Sequence, residues 1–199
     1  MGAVTVICTD KTGTLTQNRM QVYRADFYGL SSEGKLSDDA ISHCIELGMA
    51  ANSTAFLETN PQGQVHPIGN PTEGALLLWL RNQGKDYQQL REGVEVVAQL
   101  TFSTERKYMA TLVRDAEGEC TLYVKGAPEI VFSKCARVAL SDREDEASRW
   151  GDDLREKLIG YQNQAMRTLG FAYRKVEEKD LRTPLEELSA QGLVFLGIT

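Results

Sequence analysis

The feature that most constrains this chain is a short apolar segment followed directly by a polar loop that contains glycine. Residues 3–9 are nearly all apolar and rich in β-branched side chains. This composition predicts a strand that is buried on both faces of a parallel sheet. The loop that follows, residues 10–16, reads D-K-T-G-T-L-T. Open α/β sheets place their reactive groups at the carboxyl ends of such strands, so Asp10 stands where chemistry is expected.

The side chains of this loop suit phosphoryl transfer. A carboxylate such as that of Asp10 can attack phosphorus and form an acyl phosphate, which divides one difficult transfer into two steps. Lys11 would offset charge on the transferred group, and Gly13 would let backbone amides approach it. The alternative is a polar turn after a strand. A polar turn would explain a lone aspartate after a strand, but it explains the whole consecutive D-K-T-G-T-L-T pattern less well.

Length and composition exclude several classes of protein. A chain of 199 residues suits one domain, and 42% apolar residues with a net charge of -6 describe a soluble globular protein. They exclude a polybasic nucleic-acid binder. No apolar run approaches the ~18 residues of a membrane-spanning helix, and the amino terminus does not resemble a secretion signal. The four cysteines have no zinc-like spacing, which predicts reduced thiols in a cytosolic protein.

The remaining pattern predicts helices around an antiparallel sheet. Ser37 is predicted to cap a helix that ends near residue 52. Asn70, Pro71 and Glu73 together predict a capped helix over residues 71–82. Three β-rich segments separated by polar turns predict a meander over residues 94–102, 107–114 and 121–125. Further predicted elements are strands at 20–28, 169–176 and 193–199 and a short helix at 128–134. The charged region, residues 141–157, is predicted to be a solvated helix face or an exposed loop, with helix continuing to about residue 167.

The D-K-T-G-T-L-T loop resembles the phosphorylation loop of P-type cation-transporting ATPases. Other motifs resemble their nucleotide-binding domain in the same order: G-N-P-T-E-G-A-L at 69–76, F-S-T-E-R-K-Y-M at 102–109, K-G-A-P-E at 125–129 and M-R-T-L at 166–169. The resemblance covers the whole chain and favours the type II, calcium-pump-like members. It implies an α+β fold, an antiparallel β-sheet flanked by helices, over residues 20–191. Residues 1–19 and 192–199 would be strand stubs of an α/β phosphorylation domain.

The resemblance also assigns roles to the loop. Asp10 would be phosphorylated by ATP, with Lys11 beside it, and Asp10 and Thr12 would contact Mg²⁺ in a longer protein. Related haloacid-dehalogenase-type (HAD-like) phosphatases have an aspartate at the position of Thr12, where it acts as general acid and base. A hydroxyl is too weak for that role, so the phosphoenzyme should persist. Persistence favours a pump over a small phosphatase.

A nucleotide pocket is the second implication of the resemblance. Its cations would be Lys107, Lys125 and Arg167. Its other members would be Glu73 near the adenine amino group, Phe102 stacked on the base, Gly126 for close approach, and Met109 and Leu169 as apolar walls. The residues alone leave alternatives open, because Phe102 could be a core residue at a strand end and Glu73 could complete the cap begun at Asn70. Thr104 departs from the arginine of the sarcoplasmic-reticulum-type pump, and Arg106 or Lys107 could compensate.

The expected function is that of one part of an ATP-hydrolysing cation pump, with calcium favoured. The chain would lie at the cytoplasmic face of a membrane and be soluble itself. Its partners would be ATP and the phosphorylation, actuator and transmembrane parts of the same polypeptide. Alone it should bind ATP without turnover, because the G-D-G-x-N-D motif does not occur in it. The alternatives are a pump for sodium and potassium, protons or magnesium, and a free-standing nucleotide-binding regulatory module.

Overall fold

The structure is a computed structural model and describes residues 20–31 and 34–199. An eight-stranded sheet organises this part of the chain. The strands of these residues are β1 (Asp26–Phe27), β2 (Phe56–Thr59), β3 (Val65–Ile68), β4 (Glu95–Leu100), β5 (Tyr108–Arg114), β6 (Cys120–Gly126), β7 (Cys135–Ala139), β8 (Glu144–Glu146), β9 (Gly170–Val176) and β10 (Leu193–Ile198). The helices are α1 (Ala40–Ala50), α2 (Pro71–Asn82), α3 (Tyr87–Glu92), α4 (Pro128–Ser133), α5 (Gly151–Gln162) and α6 (Leu185–Leu188).

The strand order of the large sheet is β4-β5-β6-β9-β10-β7-β8, with β1 also paired to β10. The pairing of β10 with β7 is parallel, and the other pairings are antiparallel. Strands β2 and β3 form a separate hairpin. The predicted α+β class, with a mostly antiparallel sheet flanked by helices, is confirmed, and the three predicted strands of the meander correspond to β4, β5 and β6.

The register of the central strands decides which side chains share a face. Lys125 on β6 lies opposite Met109 on β5 and Phe171 on β9. Because side chains alternate along a strand, these three project from the same face of the sheet. Helices α1 and α2 pack on that face through apolar residues that include Met49 and Leu76. Helices α4, α5 and α6 cover the other face.

Helix α2 begins and ends at the predicted residues. The side-chain oxygen of Asn70 accepts hydrogen bonds from the backbone N–H groups of Thr72, at 2.9 Å, and Glu73, at 3.4 Å. These contacts satisfy two of the donors that a helix leaves free at its start. Pro71 fits the first turn because its missing N–H would be unpaired there in any case.

This cap gives a first prediction for stability. Replacing Asn70 with alanine should lower the free energy of unfolding by about 1 kcal/mol, the usual cost of losing a capping side chain. Asn82, the exposed last residue of α2, is the matched control, and Asn82→Ala should change stability by less than about 0.5 kcal/mol. Urea unfolding of both variants checks the difference. Equal losses in the two variants would show that the cap does not stabilise the helix.

The predicted start of α1 is wrong. Asp39, and not Ser37, caps this helix, since Asp39 Oδ1 accepts from the backbone N–H of Ser42 at 2.7 Å. The hydroxyl of Ser37 donates to the Asp39 carboxylate instead. A carboxylate interacts more strongly than a hydroxyl with the positive end of a helix dipole, which favours this arrangement.

The charged region, residues 141–157, is helical only in part, and the helix ends at Gln162, before the predicted residue 167. The region contains β8 and then α5, and β7 lies just before it in the chain. The sequence did not predict β7. Asp145 explains the break, because it accepts hydrogen bonds from the backbone N–H of Glu146 and the indole of Trp150. Such local contacts compete with helix formation. The predicted strand at 20–28 is reduced to the two residues of β1.

Strand β10 lies inside the sheet, between β9 and β7. Leu193, Phe195, Leu196 and Ile198 are all almost completely buried there. That residues 192–199 begin the return to a phosphorylation domain stays a prediction. The other predicted stub, residues 1–19, lies outside the described residues.

Among the described residues, no helix combines the length and the apolar character needed to cross a bilayer. Cys44, Cys120 and Cys135 are free thiols, as predicted. Cys8 lies outside the described residues.

Candidate functional site

A buried ion pair joins two of the motifs that the sequence singled out. Lys125 Nζ lies 2.8 Å from Glu73 Oε1, and Lys125 is only 4% exposed. The same ammonium donates to the backbone oxygen of Asn52. Lys125 projects from β6, and Glu73 lies in the first turn of α2. The pair therefore ties the helix to the centre of the sheet.

The second carboxylate oxygen of Glu73 fixes the segment that follows α1. Glu73 Oε2 accepts hydrogen bonds from the backbone N–H groups of Thr54, at 2.8 Å, and Ala55, at 3.2 Å. It also accepts from the hydroxyls of Thr54 and Ser53. The interpretation of Glu73 as the capping partner of Asn70 is therefore wrong. Its carboxylate is occupied by Lys125 on one side and by residues 53–55 on the other.

The electrostatics of this pair follow from its surroundings. Burial alone would raise the pKa of Glu73, but the Lys125 ammonium and the hydrogen bonds from Thr54 together lower that pKa below its ordinary value. Burial lowers the pKa of Lys125, although its contact with Glu73 acts in the opposite direction. Each charge is thus stabilised by the other, and neither is freely available to a ligand.

Further contacts hold the segment from the sides. The side-chain oxygen of buried Asn52 accepts from Thr111 Oγ1 at 2.8 Å, and Gln99 Nε2 donates to the same hydroxyl at 3.0 Å. Arg91 donates from Nε to the carbonyl of Ala50 at 2.7 Å. It also donates to the carbonyl of Ala55 at 2.8 Å, and its guanidinium lies over the ring of Tyr87.

Sequence reasoning did not identify this network. Its one advance signal is Thr111, a polar residue at an inward-facing position of a predicted strand, where an unpaired hydroxyl would be costly. The polar segment 52–54 resembles an ordinary loop in sequence. Its importance comes from tertiary contacts with Glu73 and Lys125.

Phe102 and Lys107 lie on the loop between β4 and β5. Phe102 is 55% exposed, so the alternative that it belongs to the core is wrong. Lys107 has a positive φ of 59°, which turns the chain into β5. The carbonyl of Lys107 accepts a hydrogen bond from the backbone N–H of Ala127 at 2.9 Å. The backbone N–H of Lys107 donates to the carbonyl of Ser103 at 2.8 Å. The bond from Ala127 attaches the loop to the K-G-A-P-E motif at the end of β6.

Gly126 allows this attachment because it has no side chain. A Cβ at this position would lie 2.3 Å from the Lys107 carbonyl oxygen and 2.6 Å from the Cα of Tyr108. The expected close approach at Gly126 is thus an approach of the chain to itself. Tyr108 and Gly126 are opposite each other in the register of β5 and β6.

Arg167 and Leu169 line a cavity of about 280 Å³ beside the start of α2. Its walls are the residues 20–24, the start of α2 and the residues that precede β9. Arg167 is exposed, and its Nη1 lies 3.4 Å from Thr72 Oγ1. Because Thr72 precedes Glu73, this cavity and the ion pair lie on adjacent parts of the first turn of α2.

The structure thus brings the predicted nucleotide residues into three neighbouring groups. Glu73, Lys125 and Met109 meet at the buried pair, Phe102, Lys107 and Gly126 belong to the attached loop, and Arg167 and Leu169 line the cavity. Lys125 differs most from expectation, because its ammonium is paired and buried and does not face an open pocket. The predicted catalytic residues Asp10, Lys11 and Thr12 lie outside the described residues.

Comparison with known proteins places the chain in a family. The family described as "P-type ATPase, cytoplasmic domain N" matches residues 40–199. The chain belongs to this P-type ATPase family. It is 34% identical over 206 residues to "Calcium-transporting ATPase 1" of Lactococcus lactis, covering 100% of this chain and 22% of that protein. It is 35% identical over 210 residues to "Calcium-transporting ATPase PAT1" of Dictyostelium discoideum, covering 100% of this chain and 18% of that protein.

A human protein shows the same relation. The chain is 34% identical over 196 residues to "Plasma membrane calcium-transporting ATPase 4", covering 90% of this chain and 16% of that protein. The three relatives are thus matched over 22%, 18% and 16% of their lengths, and this P-type ATPase domain corresponds to a small part of each.

Mg²⁺ would need hard oxygen ligands. In residues 20–31 and 34–199 of this P-type ATPase domain, no group of three or more His, Cys, Asp and Glu side chains could hold a metal ion. Asp10 and Thr12, the predicted Mg²⁺ contacts, are outside these ranges.

Proposed function

We propose that this domain binds ATP for a P-type ATPase that transports calcium across a membrane, with the domain on the cytoplasmic face. Family membership and the names of the three relatives support this proposal. The observation that carries the ATP-binding part is the exposed ring of Phe102. A phenylalanine held in solvent by a well-bonded loop is a suitable platform for a nucleotide base, which can stack on it and remove both surfaces from water.

The other predicted residues would complete the site around this ring. Lys107, on the same loop, is exposed and can attract phosphate oxygens. Arg167 can do the same from the cavity beside α2. Glu73 and Lys125 would support the wall of the site, because they fix α2 and residues 52–55 against the sheet. In this proposal the buried ion pair keeps the wall of the site rigid, and the exposed cations attract the phosphates of ATP.

Phosphoryl transfer is the second part of the proposal. The Asp10 carboxylate would attack the terminal phosphorus of ATP, the bond to the bridging oxygen would break, and ADP would leave with that oxygen. Thr12, a weak acid and base, would let the aspartyl phosphate persist. The isolated chain should bind ATP without turning it over, since the G-D-G-x-N-D motif is missing from the sequence. The rest of such a pump would supply the other reacting groups.

The Phe102→Ala variant tests the platform. Because base-aromatic stacking contributes about 1–3 kcal/mol, the variant should bind ATP roughly 5-fold to 150-fold more weakly. Isothermal titration calorimetry of the folded variant measures the change. Phe102→Trp, which retains an aromatic face, should retain most of the affinity.

Phe56 provides the matched control for this experiment. It is also exposed, at 48%, but belongs to the β2–β3 hairpin. Phe56→Ala should leave ATP affinity unchanged. If wild-type protein binds no ATP, the proposed function is wrong. If Phe102→Ala and Phe56→Ala have the same effect, the base does not stack on Phe102.

A further inference from the structure

The cavity beside Arg167 contains a second arginine. Arg24 lines it together with Arg167, and the Arg24 side chain is 60% exposed. Arg24 Nε donates to Asp26 Oδ1 at 2.8 Å, while the hydroxyl of Tyr161 donates to the other oxygen of Asp26. Tyr161 is itself a wall residue of the cavity. The contact with Asp26 uses Nε, so it fixes the direction of the guanidinium and leaves its two terminal nitrogens to face another acceptor.

The charges near this cavity favour an anionic ligand. Lys125 is already paired with Glu73 and buried, so it cannot contact a phosphate without leaving a buried carboxylate behind. Arg24 and Arg167 are both accessible. A planar guanidinium group can donate two parallel hydrogen bonds to the oxygens of a phosphate. Two arginines at one cavity therefore suit a polyphosphate.

The size and the lining of the cavity agree with this ligand. Its volume of about 280 Å³ is just below the roughly 300–1,000 Å³ of small-molecule pockets, so it can hold part of a nucleotide. The floor includes the apolar residues Leu76 and Leu169, and the hydroxyls of Thr72 and Thr168 belong to the lining. Hydroxyls and arginines together provide donors for phosphate oxygens.

The place of the cavity in the chain gives its orientation. Met20 lines it, and Met20 lies ten residues after Asp10. If Asp10 accepts a phosphoryl group, the phosphate end of the nucleotide must reach Asp10. Residues 20–24 of the cavity wall follow the Asp10 loop closely in sequence, whereas Phe102 lies on the loop between β4 and β5.

From these observations we propose that Arg24 binds the phosphate chain of the nucleotide, together with Arg167, and so makes the site prefer ATP to AMP. This inference rests on the proposed function. It adds a residue that lies outside the motifs which suggested the nucleotide pocket. Arg24 acts as a direct ligand contact, and Asp26 and Tyr161 position it.

The test compares ATP and AMP binding by calorimetry in wild-type protein, Arg24→Gln and Arg24→Lys. Arg24→Gln should weaken ATP binding about fivefold, the scale of an accessible charge contact, and leave AMP binding unchanged. Arg24→Lys should recover part of the loss. The matched control is Arg155→Gln, which removes an exposed arginine that faces Asp152 in α5 at 3.6 Å and should alter neither affinity. Thermal unfolding of each variant confirms that it is folded.

The outcomes separate this inference from the function on which it rests. A loss confined to ATP in Arg24→Gln, together with an unchanged Arg155→Gln control, supports a phosphate contact. Unchanged ATP binding in Arg24→Gln, or equal losses for ATP and AMP, overturns the role of Arg24 and leaves the proposed function intact. If wild-type protein binds neither nucleotide, both proposals are wrong.

Discussion

Replacing Lys125 with methionine is expected to lower the free energy of unfolding by about 3–5 kcal/mol, because removing one partner of a buried ion pair leaves the other charge uncompensated. Methionine keeps much of the volume of the lysine stem, so the loss measures charge and hydrogen bonding more than packing. The Glu73 carboxylate would then retain only its hydrogen bonds from residues 53–55. Urea unfolding, followed by circular dichroism, gives the free energy.

Two controls make this result specific. Lys175 belongs to the neighbouring strand β9, and its ion pair with Glu119 at 2.9 Å is solvent-exposed on both sides. Lys175→Met should therefore cost less than about 1 kcal/mol. The double variant Lys125→Met with Glu73→Gln removes both charges and should be more stable than Lys125→Met alone. Equal effects of Lys125→Met and Lys175→Met would show that the buried pair does not stabilise the fold.

This expectation changes how nucleotide-binding experiments on Lys125 must be read. Weak binding by a Lys125 variant could reflect loss of folded protein, since Lys125 also holds the backbone at Asn52. Phe102, Arg24 and Arg167 are exposed or lie on the cavity wall, so their variants are cleaner probes of ligand contact. Binding should be measured on Lys125 variants only where circular dichroism shows native structure.

The sequence predicted those parts of the fold that depend on local signals. The cap at Asn70, the proline at Pro71 and the length of α2 follow from neighbouring residues, and the alternating strands of the meander follow from their own patterns. The pairing of Glu73 with Lys125 could not be predicted in this way. The two residues belong to separate motifs, and their contact depends on how α2 lies on β6.

The positions of two strands could not be predicted for the same reason. The apolar pattern of β10 shows that it is buried but not which strands it joins. β8 lies where the sequence predicts a solvated helix face or an exposed loop, because its residues, Glu144–Glu146, are all charged and carry no strand periodicity. Its strand structure comes from pairing with β7 and from the local bonds of Asp145. Motif resemblance proposes the site residues, but the exposure of Phe102 and the burial of Lys125 required the tertiary structure.

The second large effect is expected at Gly126. Gly126→Ala should lower the free energy of unfolding by about 3 kcal/mol or more, since the new methyl group meets backbone atoms that cannot move independently of the sheet. The contacts concerned are the Lys107 oxygen at 2.3 Å and the Tyr108 Cα at 2.6 Å. Relief would require β5 to move away from β6 at the point where Ala127 binds the loop. Gly160 in α5 is the matched control, because a Cβ there meets nothing within 4 Å.

Gly160→Ala should raise the free energy of unfolding by about 0.5–1 kcal/mol, as expected for glycine replaced in a helix. In Gly126→Ala, the same movement of β5 would displace Lys107 and with it the loop that carries Phe102. ATP affinity should therefore fall in the fraction of Gly126→Ala that remains folded, although Gly126 has no side chain to lose. Native stability and wild-type affinity in Gly126→Ala would mean that the approach of Lys107 to β6 is not required.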